Sequence, residues 1–171
     1  MEIRKTSPQD LPRVLEIYDR ARRFMAESGN PTQWGTDRPS RQQIEADIQC
    51  SCSYVCLQDG RIQGVFAFLP GPDPTYGEIV GPGWISEESY DVIHRIASAG
   101  AVPGVGSFCL QWALGQRGHL RIDTHENNRP MRSLLQKLGF SYCGVIRLEN
   151  GDPRLAFEKR LPTCNLPENT V

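Results

Sequence analysis

Three glycines, Gly100, Gly104 and Gly106, stand between the apolar run Tyr90–Ser98 (YDVIHRIAS) and a segment that begins at Ser107 with Phe108, Cys109, Trp112 and Ala113 on one helical face. A strand that passes through a glycine turn straight into a helix points the chain to an α/β architecture. The turn also has chemistry. Glycines let backbone N–H groups approach an anion closely, and a helix start offers unpaired donors with partial positive charge. The geometry suits a phosphate or pyrophosphate; a tight turn with no ligand suits the same residues. No Gly-Lys-Ser/Thr follows, and the third glycine and downstream acid of the dinucleotide fingerprint are missing, which argues against ATP and NAD.

The rest of the pattern alternates strands and helices. Glu2–Lys5 reads as a strand. Ser7, Pro8 and Asp10 cap a helix carrying Leu11, Val14, Leu15, Tyr18, Ala21 and Met25, which stops near Gly29. Residues 30–39 read as a loop, and Ser40 with Gln43 forms a capping box for a short helix with Ile44 and Ile48. Two strands, Ser53–Leu57 and Gln63–Leu69, are joined by the hairpin signal Asp59-Gly60. The Pro/Gly-rich stretch PGPDPTYGEIVGPGW then holds an irregular strand around Tyr76–Val80. After the glycine turn and its helix come a strand at His119–Asp123 and a fully punctuated helix: Asn127 or Asn128 as cap, Pro130 in the first turn, Met131, Leu134, Leu135 and Leu138 as a stripe, and Gly139 at the end. Phe140–Arg147 and Arg154–Glu158 close the fold as strands. The expectation is one domain over residues 1–160, a mixed α/β sheet with helices on both faces, and a loose tail over 161–171.

Composition narrows the partners. Nineteen Lys and Arg against twenty Asp and Glu leave a net charge of −1, so nothing recommends a nucleic acid or an anionic membrane. No apolar stretch approaches the ~20 residues of a membrane span, and the polar start MEIRKTSPQD is unlike a secretory signal, so the expected location is the cytoplasm. The six cysteines are expected to be reduced thiols. Cys50, Cys52 and Cys56 lack a CxxC pair or a nearby histidine, and no HExxH occurs, so no metal is expected.

A strand ending in HRIAS, a GxG loop, an amphipathic helix, the short strand IDTH and then NxPMxxLLxKLGF resembles the GNAT superfamily of N-acetyltransferases, over residues 1–160 in element order and most specifically over 93–146. The resemblance implies a mostly antiparallel mixed sheet with a splayed parallel strand pair at the cofactor site, and acetyl-CoA as co-substrate. Carried onto this chain, the family's loop signature falls on Ala101, Val102, Pro103, Gly104, Val105 and Gly106. Both glycines match, while Ala101 replaces the usual Gln or Arg. Asn128 matches the family's asparagine near the thioester. Leu135 stands where many members place a tyrosine that protonates the departing thiolate.

The resemblance implies cofactor contacts from Ile96, Ala97 and Ser98 on the strand, from Val102, Gly104, Val105, Gly106 and Ser107 at the turn, and from Asn128 and Arg132 on the last helix. Ser107 also reads as a plain helix cap, and Arg132 as a solvated arginine. The candidates for moving the acceptor's proton are His94, Asp123 and His125, with Glu78 behind them. Trp34, Tyr76 and Trp84 are expected to wall an acceptor pocket or to pin loops to the core. Cys143 has no histidine tied to it as a covalent nucleophile would. The implied reaction is direct attack of a primary amine, small-molecule or peptide, on acetyl-CoA in a ternary complex. A non-catalytic CoA-binding sensor on the same fold is the alternative, and the sequence leaves a homodimer open.

Overall fold

Seven strands form one sheet in a computed structural model that describes residues 1–162. In chain order the elements are β1 (Glu2–Lys5), α1 (Leu11–Glu27), α2 (Arg41–Gln49), β2 (Ser53–Gln58), β3 (Arg61–Pro70), β4 (Asp91–Ser98), α3 (Val105–Arg117), β5 (His119–Thr124), α4 (Arg129–Lys137), β6 (Ser141–Arg147) and β7 (Pro153–Arg160). The strands lie in the order β1-β2-β3-β4-β5-β7-β6, and every pairing is antiparallel except β4 with β5. From residue 163 onward the expected tail falls outside the described residues. Among those described, no helix is long and apolar enough to cross a membrane.

Strand alternation decides which layer each residue joins. Val55, Leu57, Val65 and Ala97 face the buried stripe Val14, Ile17, Tyr18 and Ala21 of α1, together with Ile44 of α2. Their neighbours Cys56 and Phe66 point the other way, toward Cys109, Leu110 and Ala113 of α3 and Leu135 of α4. On the β5–β7 side, Leu120, Ile122 and Phe157 join that same α3 layer. The opposite face there is covered by the connection between β3 and β4, through Tyr76 and Tyr90 against Ile146 and Ala156.

That connection departs from the expected strand. It makes a 3-10 turn at Pro74–Tyr76 and then one bridge, Val80 to Val145. The bridge depends on Gly144: a Cβ there would lie 2.5 Å from the Val80 carbonyl. Further along, buried Glu158 accepts from the Ile85 amide and from Arg121 Nε at 2.9 Å, while Arg121 Nη2 donates to the Ser86 carbonyl at 2.6 Å. The Arg121 guanidinium also lies over the rings of Trp84 and Tyr90, at 4.1 and 3.9 Å. Residues 84–90 are thus fastened to the sheet by a buried ion pair.

Two helix starts also differ from expectation. A 3-10 turn at Pro8–Asp10 precedes α1, with Ser7 donating its hydroxyl to Asp10 rather than capping α1 itself. Ser40 does cap α2, accepting from the Gln43 amide at 3.1 Å, but the Gln43 side chain donates to Asp47 instead of closing a capping box. By contrast α4 is as expected: Asn128 Oδ1 accepts from the Met131 amide, and Gly139 follows in the left-handed conformation.

Candidate functional site

The parallel pairing of β4 and β5 covers only Asp91 with Leu120 and Val92 with Arg121. Beyond it β4 stays with β3 and β5 stays with β7, so the two strands part and a V opens at the centre of the sheet. A cavity of about 530 Å3 occupies the opening, with Ile93–Ile96 on one side and Ile122–Thr124 on the other. Concave openings of this kind, lined by apolar side chains and a few polar groups, are where small ligands bind.

A bulge shapes the β4 side. Val65 pairs with Ala97 but Ala67 pairs with His94, so Phe66 stands opposite two residues and Arg95 takes a φ of 53°. A left-handed arginine is costly and needs fixing in place. Tyr18 Oη donates to the Arg95 carbonyl at 2.9 Å, and the Arg95 guanidinium holds buried Asp47 through two bonds of 2.8 and 2.9 Å. The extra residue leaves backbone polar groups of β4 outside the ladder, beside the cavity. Removing Asp47 leaves the half-buried Arg95 guanidinium without its partner, so Asp47→Ala should cost about 2 kcal/mol. For a chain of this size that is a fall of roughly 6 °C in Tm by thermal melting.

His94 projects from β4 into the cavity and meets two carboxylates. Its Nε2 lies 2.7 Å from Asp73 Oδ2, and its Nδ1 lies 3.8 Å from Asp123 Oδ1. Burial alone would raise the Asp73 carboxyl, but bonds from His94 and from the Thr75 hydroxyl and amide outweigh it and bring the value to about 2. Asp73 is therefore a carboxylate that can only accept, which requires the Nε2 proton on His94. Neutral His94 then turns the Nδ1 lone pair away from Asp73. Asp123 is in turn held at Oδ1 by the hydroxyl of buried Tyr76, at 2.8 Å. Burial and this carboxylate together push the Tyr76 phenol well above its ordinary value, so it stays a donor.

The depressed Asp73 value ties stability to acid. Its folded value lies below the ordinary 3.8, so about 2 kcal/mol is present above pH ~4 and is lost as pH falls through about 2. In urea titrations the advantage of the wild type over Asp73→Asn should shrink across that window.

At the far end of β4 the chain turns through Gly100, φ 70°, and Gly104, φ 81°, which caps α3. The helix begins at Val105, two residues before the expected Ser107, because left-handed Gly104 already closes the turn. Ser107 thus lies inside the first helical turn and is not the cap. The first bond across the cap runs from the Phe108 amide to the Gly104 carbonyl at 2.9 Å, so the amides of Val105, Gly106 and Ser107 lack intrahelical acceptors. The surroundings are crowded. A Cβ on Gly106 would sit 3.1 Å from Leu134 of α4, and one on Gly64 of β3 would sit 2.5 Å from Val105.

The remaining expected residues divide. Ile96 and Asn128 line the cavity, and Asn128 Nδ2 donates to Gln33 at 3.0 Å. Ala97 is buried against α1, Ser98 Oγ accepts from the Gly100 amide, and Val102 packs on the α3 layer. Arg132 donates to the Glu126 carbonyl in the open. Trp34 lines the cavity edge-on to Tyr18, whereas Trp84 is held by Arg121 and the Tyr76 carbonyl, and Tyr76 backs the site through Asp123. His125 lies past the end of β5, outside the cavity lining, with Nδ1 accepting from the Asn127 amide. Burial and nearby Arg154 lower its pKa. Glu78 is exposed. Burial and Glu158 push the Cys143 thiol up to about 11, leaving it unreactive. Leu135 is wholly buried in the α3–α4 layer.

Sequence reasoning missed Asp73, Arg38 and Arg154, all cavity-lining. For Asp73 the signal was slight: an aspartate in PGPDPTYG reads as a turn residue, and it does cap Thr75.

No protein-family model matches the chain, and no curated protein matches it. Solved structures do. The E. coli ribosomal-protein-S18-alanine N-acetyltransferase is 16% identical with a TM-score of 0.63, over 99% of this chain and 98% of that one. A GNAT-family acetyltransferase from Listeria monocytogenes is 20% identical with a TM-score of 0.68, over 94% of each chain. Both carry the fold alone. A GNAT-family acetyltransferase from Streptococcus agalactiae is 30% identical with a TM-score of 0.86, over 94% of this chain and 95% of that one. Such identity, sustained along almost the whole of both chains, makes this chain a member of the GNAT family of acetyltransferases.

Proposed function

We propose that the protein transfers the acetyl group of acetyl-CoA to a primary amine by direct attack in a ternary complex, with His94 as general base. The observation that carries the proposal is the Asp73–His94–Asp123 set at the mouth of the β4–β5 opening. The residues present fit the co-substrate. The Val105, Gly106 and Ser107 amides offer a pyrophosphate three donors at the positive end of α3, and the buried Thr124 hydroxyl, unpartnered among the described residues, lines the cavity. Bound acetyl-CoA supplies an activated thioester.

The protein's larger task is the acceptor. An amine with a pKa near 10 is mostly protonated at pH 7, a cost of roughly 4 kcal/mol before it can attack. His94 Nδ1 takes that proton, directly or through water, while Asp73 keeps the opposite ring nitrogen protonated. The resulting imidazolium lies between two carboxylates. A β4 amide beside the bulge, at Ile96 in this reading, stabilises the charge that develops on the acyl oxygen. Leu135 offers no acid to the departing thiolate, but a thiol near pKa 8.5 leaves at pH 7 with a penalty of only about 2 kcal/mol.

The test is release of free thiol from acetyl-CoA against a panel of small amines and peptides. Amine-dependent release is expected; tight acetyl-CoA binding with no release from any amine would favour the sensor reading.

A further inference from the structure

Half-buried Arg95 and buried Arg121 are both matched by carboxylates. Arg95 holds Asp47 with both arms of its fork, and Arg121 holds Glu158, a backbone carbonyl and two aromatic faces. Arg154 on β7 is different. Its side chain is only 5% exposed, yet among the described residues that side chain makes one hydrogen bond, to the carbonyl of adjacent Pro153 at 2.8 Å. The closest carboxylate, Asp152, stands 4.0 Å away and is half exposed. A guanidinium withdrawn from water is costly unless its planar fork is matched. Arg154 also lines the cavity of the β4–β5 opening.

Three further observations bear on what it waits for. Arg38, from the α1–α2 connection, lines the same cavity and makes no ion pair among the described residues. Burial lowers the Arg154 pKa, while Asp123 and Asp152 draw it back up. The Asp73–His94–Asp123 set, on the same cavity, suits an ammonium rather than an anion. The cavity therefore carries a place for a cation and an unmatched place for a planar anion.

We infer that Arg154, assisted by Arg38, binds a carboxylate on the acceptor, so that the substrate amine belongs to an amino acid. This rests on the proposed acetyl transfer and names its acceptor class. The carboxylate would complete the unmatched fork and fix the amine on the His94 side; a plain amine of the same size would leave Arg154 buried and unpaired.

The test compares thiol release for free amino acids, their amides and the corresponding decarboxylated amines. Amino acids should be preferred in kcat/KM by at least about 30-fold, the usual consequence of leaving a buried charge without its partner. Arg154→Gln should remove that preference by raising KM for amino acids, with kcat for the amines and the Kd of CoA within about 3-fold of wild type. Arg154→Lys, which keeps the charge without the fork, should recover part of it. Equal rates for amino acids and decarboxylated amines, preference for the amides, or an equal loss for all substrates in Arg154→Gln would overturn the inference. Calorimetry with N-acetyl amino acids, the products, reads the same subsite without turnover: binding lost in Arg154→Gln supports it, and binding unchanged overturns it. Absence of thiol release with every amine alongside Arg154-dependent product binding would refute acetyl transfer and leave the carboxylate subsite standing.

Discussion

His94→Gln is expected to lower kcat/KM at least about 100-fold with acetyl-CoA binding unchanged, because a positioned general base contributes 10²- to 10⁴-fold. The side chain is partly exposed at the cavity and is not part of a packed layer, so the variant should fold. Asp73→Asn is expected to be comparably damaging. Its single amide oxygen is claimed by the Thr75 amide and hydroxyl, so its NH2 faces Nε2 and drives the His94 proton onto Nδ1, and a loss of at least about 100-fold is expected. Undiminished kcat/KM in His94→Gln would move the base to Asp123.

Gly104→Glu is expected to weaken acetyl-CoA binding at least about 100-fold. The change has two parts that a pair of variants separates. Any side chain at a φ of 81° is strained by about 1 kcal/mol, and Gly104→Gln suffers that as fully as Gly104→Glu does. The glutamate adds a negative charge at the mouth of the amide cluster. At ~5 Å and an effective dielectric near 20, repulsion by one phosphate charge is about 3 kcal/mol, or roughly 100-fold. Calorimetric Kd values should rise by less than about 10-fold for Gln and far more for Glu. Equal affinities for the two variants would place the pyrophosphate elsewhere.

What the sequence disclosed was local. The α4 helix announced both ends through Asn128, Pro130 and Gly139, and Asp59-Gly60 marked the β2–β3 hairpin, because cap and turn chemistry act within a few residues. The start of α3 escaped by two residues, since a glycine cap has no side chain to read. The insertion of β7 between β5 and β6 depends on contacts far apart in the chain, and periodicity carries no trace of them.

The site followed the same division. His94 and Asp123 were found because the family resemblance placed their strands beside the thioester. Asp73 joins His94 from 21 residues away through a turn whose sequence reads as purely structural, and Arg154 reads as an ordinary strand arginine because its burial on the cavity depends on contacts that periodicity does not carry. His125 follows Asp123 by two residues, but the strand ends at Thr124, so alternation no longer holds it on the cavity side. Trp84 was read from its aromatic character alone. Its place was decided by Arg121, which draws the ring onto the buried ion pair.

The most direct test of the account is a crystal structure with CoA bound. The pyrophosphate should lie on the amides of Val105, Gly106 and Ser107, and the thiol between β4 and β5 on the His94 side of the opening. A pyrophosphate away from the start of α3, or a thiol outside the β4–β5 opening, would contradict it.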